Sequence, residues 1–134
     1  MIEDNFLNET DFQQLQNFIL SADFPLYYNK GIVEHPILST NNVIDDFQFC
    51  HTFYRNQTWN GTYNLILDPI LKKVNPFSIS RIKVNVLPKN SVIIENTFHC
   101  DISPILLNAE QVAQWSTSIM YINTNNGYTM FEDG

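Results

Sequence analysis

The hydrophobic residues in the first part of the chain recur at a helical spacing. From residue 11 to residue 22, apolar side chains lie three or four positions apart, and glutamines occupy positions between them. This spacing gathers the apolar side chains on one face of a helix, whose first turn Thr10 can cap. A second helix is predicted from Leu65 to Val74, where Pro69 is tolerable in the first turn and Asn75-Pro76 ends the helix.

Two later segments alternate between two kinds of residue, a pattern typical of β-strands. In residues 47–54 the alternation places aromatic residues and His51 on one face. In residues 81–86 it places three aliphatic residues on one face and polar residues on the other. The polar face of this second segment consists of Arg81, Lys83 and Asn85, and we expect it to line a solvated barrel mouth.

The last third of the chain contains shorter candidates for secondary structure. Residues 92–95 predict a short strand, and residues 108–115 predict a helical turn. The β-branched and aromatic residues 116–123 predict a further strand. The sequence Asn125-Asn126-Gly127 then predicts a hairpin turn into a strand that begins at Tyr128.

Helices followed by several short strands predict an α+β fold. We expect a jelly roll, that is, a double-stranded β-helix, with the N-terminal helices packed on one of its sheets. The last predicted strand has barely begun at Gly134, and a jelly roll that ended there would have open edges. The expectation is therefore a single, partial domain over residues 1–134, with the C-terminal strands missing.

Composition and charge exclude several classes of function. The formal net charge is −7 and the pI about 4.6, so most of the surface would repel the backbone of a nucleic acid. No apolar run approaches the roughly 20 residues that span a bilayer, and the acidic N-terminus lacks the basic region of a secretory signal. Cys50 and Cys100 are too few for a disulfide framework. We expect a cytoplasmic protein that binds neither nucleic acid nor membrane.

The main candidate for chemistry is His99-Cys100-Asp101. On an extended segment, side chains two positions apart project to the same face, so the imidazole and the carboxylate can reach one ion. Two histidines and one carboxylate form the ligand set of non-haem iron(II) oxygenases, and this set leaves positions open for a co-substrate and for oxygen. The spacing alone is not specific, because any His-x-Asp in a strand has the same geometry.

The order of motifs along the chain is more informative than any one of them. The polar-faced segment 81–86 is followed by His99-Cys100-Asp101, by Tyr121-Ile122-Asn123 and by Gly127-Tyr128-Thr129-Met130-Phe131. This order resembles the prolyl 4-hydroxylase-like branch of the iron(II)- and 2-oxoglutarate-dependent dioxygenases, and especially its small phage and bacterial members. Early segments of those members are similar to residues 24–29 and 51–54, so the resemblance covers roughly residues 24–134.

The resemblance implies an activity and a set of site residues. It implies that His99 and Asp101 are the first two iron(II) ligands and that the Tyr121 hydroxyl bonds the co-substrate 2-oxoglutarate. The implied reaction consumes 2-oxoglutarate and oxygen to hydroxylate a prolyl residue, another peptidyl residue or a small molecule. Further pocket residues implied to contact cofactor or substrate are Asn123, Asn85, Lys83 and Arg81.

The chain also departs from the family pattern. In the family a second histidine completes the iron site, and a later Arg or Lys pairs with 2-oxoglutarate; we expect both positions after Gly134 and expect this chain alone to be inactive. His35 and His51 are expected to be structural. One alternative is a non-catalytic jelly-roll binding module or phage structural protein with a degenerate metal site. A cupin-like barrel with another metal ranks last, because such sites gather several histidines.

Overall fold

A computed structural model describes residues 2–31, 47–91, 93 and 108–130. These residues form helices and an open antiparallel sheet, so the predicted α+β class is confirmed. Within the described ranges, no helix is long and apolar enough to cross a membrane. The elements are, in chain order, α1 (Glu9–Ile19), β1 (Tyr27–Lys30), β2 (Phe47–Arg55), β3 (Thr58–Trp59), α2 (Asn64–Val74), β4 (Arg81–Val86) and α3 (Ala109–Ala113).

The chain divides into two compact units. The first consists of residues 1–32 and 44–88, and the second of residues 33–43 and 89–134. All the described elements except α3 belong to the first unit. That the whole chain is a single domain stays a prediction.

Helix α1 begins earlier than the hydrophobic spacing predicted, because Asn8 caps it instead of Thr10. The side-chain oxygen of Asn8 accepts a hydrogen bond from the backbone N–H of Asp11 at 2.9 Å. This bond satisfies one of the N–H groups that the first turn of a helix leaves without a backbone partner. The helix ends at Ile19 and does not reach the predicted residue 22.

Helix α2 has the predicted extent, but its proline lies in the second turn and not in the first. Pro69 has no N–H to donate, so the carbonyl of Leu65 loses its helical partner. Leu65 is 78% exposed, so water can reach this part of the helix and bond the carbonyl that has lost its partner. Leu67 is the buried residue of α2, whereas Leu65 and Val74, near its two ends, are exposed. Asn75 ends the helix in the left-handed conformation, with φ 47°.

Strand β2 is the centre of the sheet. Strands β1 and β3 pair antiparallel with opposite ends of β2, and β4 pairs with residues 49–55 of β2 along its other edge. Strand β3, which the sequence pattern did not predict, follows β2 through a two-residue turn. The turn residues Asn56 and Gln57 have φ values of 52° and 60°, and two positive φ values are typical of a type I′ hairpin turn.

The core of the first unit lies on one face of the sheet. Phe53 and His51 of β2 are 1% and 2% exposed, and Phe53 contacts the ring of Tyr63 at a centroid distance of 5.2 Å. Tyr63 precedes α2 and also contacts Phe18 of α1, so both helices join this aromatic cluster. The other buried apolar side chains are Leu7, Leu15, Ile19, Phe24 and Leu67.

The described residues of the second unit are organised by local hydrogen bonds. Helix α3 confirms the predicted helical turn, and Asn108 and Gln111 form a reciprocal capping box at its start. The prediction of a strand over residues 116–123 is wrong, because these residues have no strand pairing. The predicted hairpin at Asn125-Asn126-Gly127 is wrong as well, because neither residues 116–123 nor residues 128–130 form a strand. The segment instead bends locally, and the N–H of Gly127 donates to Asn125 Oδ1 at 2.9 Å.

Candidate functional site

The two predicted iron ligands, His99 and Asp101, lie outside the described residues, as does His35. Most of the predicted strand 92–95 lies outside them as well. The assignment of iron to His99 and Asp101 therefore stays a prediction. In the part of the chain that the structure describes, no group of three or more His, Cys, Asp or Glu side chains could hold a metal ion.

Strand β4 brings Arg81 and Asn85 to the same face of the sheet. The strand is regular, and alternate residues of a strand project to the same side. The aliphatic residues of β4 are half-buried, whereas Lys83 and Asn85 are exposed and Arg81 is half-buried. The predicted alternation of β4 is therefore confirmed, and its polar residues lie on the side opposite the aliphatic ones.

The register between β4 and β2 identifies the residues of β2 that lie on the same side of the sheet as Arg81, Lys83 and Asn85. Directly paired residues of an antiparallel ladder project to the same side of the sheet. Asn85 pairs with Cys50, Lys83 with Thr52 and Arg81 with Arg55. On the other face, Val84 pairs with the buried His51 and Val86 with Phe49. We call the residues of the first set, namely Cys50, Thr52, Arg55, Arg81, Lys83 and Asn85, the polar face of the sheet.

Arg55 belongs to the polar face because of a β-bulge. The register shifts by one residue between Thr52 and Tyr54, so that Phe53 is the extra residue of β2. Strict alternation along β2 would have put Arg55 on the core side with His51. The bulge moves it to the side of Arg81, where the two arginines are direct cross-strand neighbours. The sequence pattern missed this residue, because a bulge leaves no mark in the period of a single strand.

Tyr121 and Asn123 belong to the second unit and are held by local contacts. The hydroxyl of Tyr121 lies 2.8 Å from Thr129 Oγ1, across the turn that contains Asn125. The carbonyl of Asn123 accepts from Asn125 Nδ2 at 3.1 Å. Tyr121 is 50% exposed, so its hydroxyl is within reach of solvent or a ligand as well as of Thr129. That Tyr121 and Asn123 contact 2-oxoglutarate stays a prediction.

His51 has a structural environment, as the sequence predicted. Its Nδ1 lies 2.9 Å from the carbonyl oxygen of Pro25. Because a carbonyl oxygen can only accept a hydrogen bond, Nδ1 is the ring nitrogen that carries the hydrogen and donates it. The Nε2 atom is buried and has no hydrogen-bond partner. The imidazole is surrounded by the rings of Phe24, Tyr27, Phe53 and Tyr63, at centroid distances of 5.1, 6.1, 4.9 and 5.0 Å.

The hydrogen bond of His51 joins two neighbouring parts of the sheet. It fastens Pro25, at the entry to β1, to the middle of β2. The other ring nitrogen of His51 faces aromatic surroundings. Cys50, on the same strand, is half-buried and free.

The described residues thus present two surfaces with different chemical capacities. The aromatic face of the sheet is a core. The polar face offers guanidinium and ammonium donors together with an amide and a hydroxyl, groups that hold and orient an oxygen-rich ligand. Comparison of the chain with protein-family models, with curated proteins and with solved structures finds no significant match.

Proposed function

We propose that the chain is part of a non-haem iron(II), 2-oxoglutarate-dependent dioxygenase with a jelly-roll domain, in which His99 and Asp101 are iron ligands. The observation that carries the proposal is the order of its motifs. The polar-faced strand β4 precedes His99-Cys100-Asp101, which precedes Tyr121-Ile122-Asn123 and then Gly127-Tyr128-Thr129. A single short motif arises often by chance, whereas several in a fixed order arise much less often.

The described sheet is compatible with this proposal. A jelly-roll dioxygenase needs a sheet with one face against the helices and another face polar enough to line a pocket. The first unit has a sheet of this kind, since His51 and Phe53 lie in the aromatic core and the residues of the polar face lie on the other side. The proposal assigns ligand binding to the polar face.

The proposed division of labour follows from the side chains. When bound, iron(II) with 2-oxoglutarate and oxygen supplies the oxidising chemistry that hydroxylates a C–H bond. The chain itself holds and orients the reactants. Arg81 and Asn85 supply N–H donors for carboxylate or amide oxygens of the ligands, and the Tyr121 hydroxyl supplies one donor that can exchange Thr129 for a ligand oxygen. The substrate class is a peptidyl residue or a small molecule.

The test of the proposal is ligand-induced stabilisation of the protein expressed from its complete reading frame. Manganese(II), which replaces iron(II) without turnover, is added with 2-oxoglutarate under nitrogen, and the melting temperature is recorded. A ligand at about 100 times its Kd stabilises a folded protein by about 2.7 kcal/mol. We expect the ligands to raise the melting temperature of the wild type through this stabilisation. In His99→Ala we expect no such rise.

A matched control removes a different histidine. His35→Ala deletes the same chemical group at a position that the proposal leaves out of the metal site, so the ligand-induced rise should persist in this variant. A rise that persists in His99→Ala as well would show that His99 is not a ligand. No rise in the wild type, together with no succinate formed from 2-oxoglutarate in the iron(II) enzyme, would favour the non-catalytic binding or phage structural role.

A further inference from the structure

The sequence contains the dipeptide Asn-Gly at two places, Asn60-Gly61 and Asn126-Gly127. Asparagine followed by glycine is chemically labile, because the backbone nitrogen of the glycine can attack the side-chain amide carbon of the asparagine. Glycine has no Cβ atom to hinder this attack, and its backbone adopts the required conformation freely. The two dipeptides are chemically identical, so a difference in their reactivity comes from the structure around them.

Asn60-Gly61 is tied to the sheet. The backbone N–H of Asn60 donates to the carbonyl of Phe53 at 2.8 Å, and Asn60 Nδ2 donates to the carbonyl of Thr52 at 3.2 Å. Gly61 has φ 93°, and a Cβ atom placed on it would lie 2.8 Å from the ring of Tyr63. The rotation that brings the Asn60 amide carbon onto the Gly61 nitrogen therefore works against bonds to β2.

Asn126-Gly127 has a different environment. Both residues are exposed and lie outside any helix or strand, in the second unit of the chain. The N–H of Gly127 donates to Asn125 Oδ1 at 2.9 Å, and the attack has to break this bond. An exposed hydrogen bond between near neighbours opens at low cost, because water can replace it.

We propose that Asn126 is a site of spontaneous deamidation in the folded protein and that the structure protects Asn60 from the same reaction. Hydroxide removes the proton of the Gly127 amide, and the nitrogen forms a bond to Asn126 Cγ. The bond between Cγ and Nδ2 breaks, ammonia leaves with a proton from water, and a five-membered succinimide ring remains. Water then opens the ring to aspartate or isoaspartate. The attack is intramolecular, so the reacting groups meet without the entropy cost of bringing two molecules together.

The product differs from the original chain in charge and in backbone length. The new carboxylate is ionised at neutral pH, so one negative charge is added to the formal net charge of −7. Isoaspartate also adds one methylene group to the backbone between Tyr121 and Thr129, whose side chains are hydrogen-bonded to each other. The inference does not depend on iron or on dioxygenase activity. If the proposed function holds as well, the modification alters the segment that carries Tyr121 and Asn123.

The experiment is a long incubation of the folded protein in mildly alkaline buffer, well below its unfolding temperature. Peptide mapping by mass spectrometry assigns the replacement of NH2 by OH to one asparagine, and an isoaspartyl methyltransferase detects isoaspartate. Asn60 is an internal control, because each molecule carries both dipeptides. We expect Asn126 to react at least about tenfold faster than Asn60, which corresponds to about 1.4 kcal/mol in activation free energy.

A parallel incubation in guanidinium chloride separates the effect of structure from that of sequence. In the unfolded chain both asparagines lose their surroundings, so we expect nearly equal rates. Gly127→Ala tests the nucleophile, because its methyl group hinders the attacking nitrogen and should slow the reaction of Asn126 at least about tenfold. This variant should fold, since Gly127 does not have a positive φ and the added Cβ would meet Asn125 Oδ1, the end of a flexible side chain, at 3.2 Å.

Both incubations continue until half of the unfolded chain has reacted, so that each outcome decides the question. The proposal is wrong if Asn126 is still intact in the folded protein at that time, or if Asn60 reacts as fast as Asn126 there. An unchanged rate in Gly127→Ala would exclude the Gly127 nitrogen as the nucleophile. These outcomes are independent of the iron test, because the incubations contain neither metal nor 2-oxoglutarate and His99→Ala should react at the wild-type rate.

Discussion

The contacts inside the first compact unit of the chain differ in kind from the contacts inside the second. In the first unit, each described strand pairs with β2, and large side chains such as Phe53 and Leu15 are almost fully buried. In the second unit, side-chain hydrogen bonds join residues that are near in sequence, as in the bond between Tyr121 and Thr129. Within residues 108–130 only Met120 and Ile122 are as much as half-buried.

The contrast shows what turns a segment of strand-favouring residues into a strand. Strand β4 and residues 116–123 both contain residue types that favour strands. Strand β4 pairs with β2 over most of its length, whereas residues 116–123 have no pairing. β-propensity measures how well a side chain fits a pleated surface that already has neighbours. The same pattern therefore forms a strand only where the chain also supplies a partner.

The largest expected effect of a substitution is in the core of the first unit. Phe53→Ala removes a ring that is 1% exposed and that contacts Phe24, His51 and Tyr63. Truncation of a buried aromatic residue costs about 3–5 kcal/mol of unfolding free energy. Urea denaturation followed by circular dichroism measures the loss.

The matched substitution in the second unit is Met130→Ala. Met130 is 53% exposed, and substitutions at exposed positions usually change the free energy of unfolding by less than about 0.5 kcal/mol. Equal losses for Phe53→Ala and Met130→Ala would mean that the difference between the units is not one of core packing. A large loss for Met130→Ala alone would reverse the comparison.

A smaller effect, of opposite sign, is expected in the turn between β2 and β3. Gln57 has φ 60°, a left-handed conformation that disfavours side chains with a Cβ atom and that glycine adopts freely. Gln57→Gly should therefore stabilise the protein by about 0.5–1 kcal/mol, since Asn-Gly is the preferred pair in a type I′ turn. The urea midpoint should rise.

The control for this prediction makes the same change in a helix. Gln14 is exposed on α1, where glycine is about 1 kcal/mol less favourable than a good helix former. Gln14→Gly should therefore lower the urea midpoint while Gln57→Gly raises it. Two changes of the same sign would contradict the left-handed geometry assigned to Gln57.

The sequence predicted those features of the fold that depend on local pattern. The alternation in β4, the extent of α2 and the helical turn α3 followed from residue types over a few positions. The cap of α1 was misplaced, because Asn8 and Thr10 both suit that role and only the backbone decides between them. Helix and strand types were thus more predictable than their ends.

The candidate site was less predictable, because it depends on register. Arg81 and Asn85 could be assigned to one face from the period of β4 alone. Arg55 could not, because its side depends on the extra residue Phe53 and on the pairing of Arg55 with Arg81. A non-local pairing of this kind is set by the packing of two strands and is not encoded in either one.

The smallest expected effect on stability concerns Tyr121. Tyr121→Phe removes the hydroxyl that bonds Thr129 at 2.8 Å, and because Tyr121 is 50% exposed, water can replace that bond. The free energy of unfolding should fall by less than about 0.5 kcal/mol. Thr129→Val breaks the same hydrogen bond from the other side and should have an equally small effect in urea denaturation.

The two variants should differ in ligand affinity if the proposed role of Tyr121 is right. In the full-length protein with manganese(II), Tyr121→Phe should raise the Kd of 2-oxoglutarate about tenfold, since it removes one hydrogen bond to a charged group. Thr129→Val retains the Tyr121 hydroxyl and frees it from its partner, so the Kd should stay the same or fall. Equal Kd values in Tyr121→Phe and the wild type would mean that the Tyr121 hydroxyl does not bind 2-oxoglutarate. Its role would then be the hydrogen bond to Thr129.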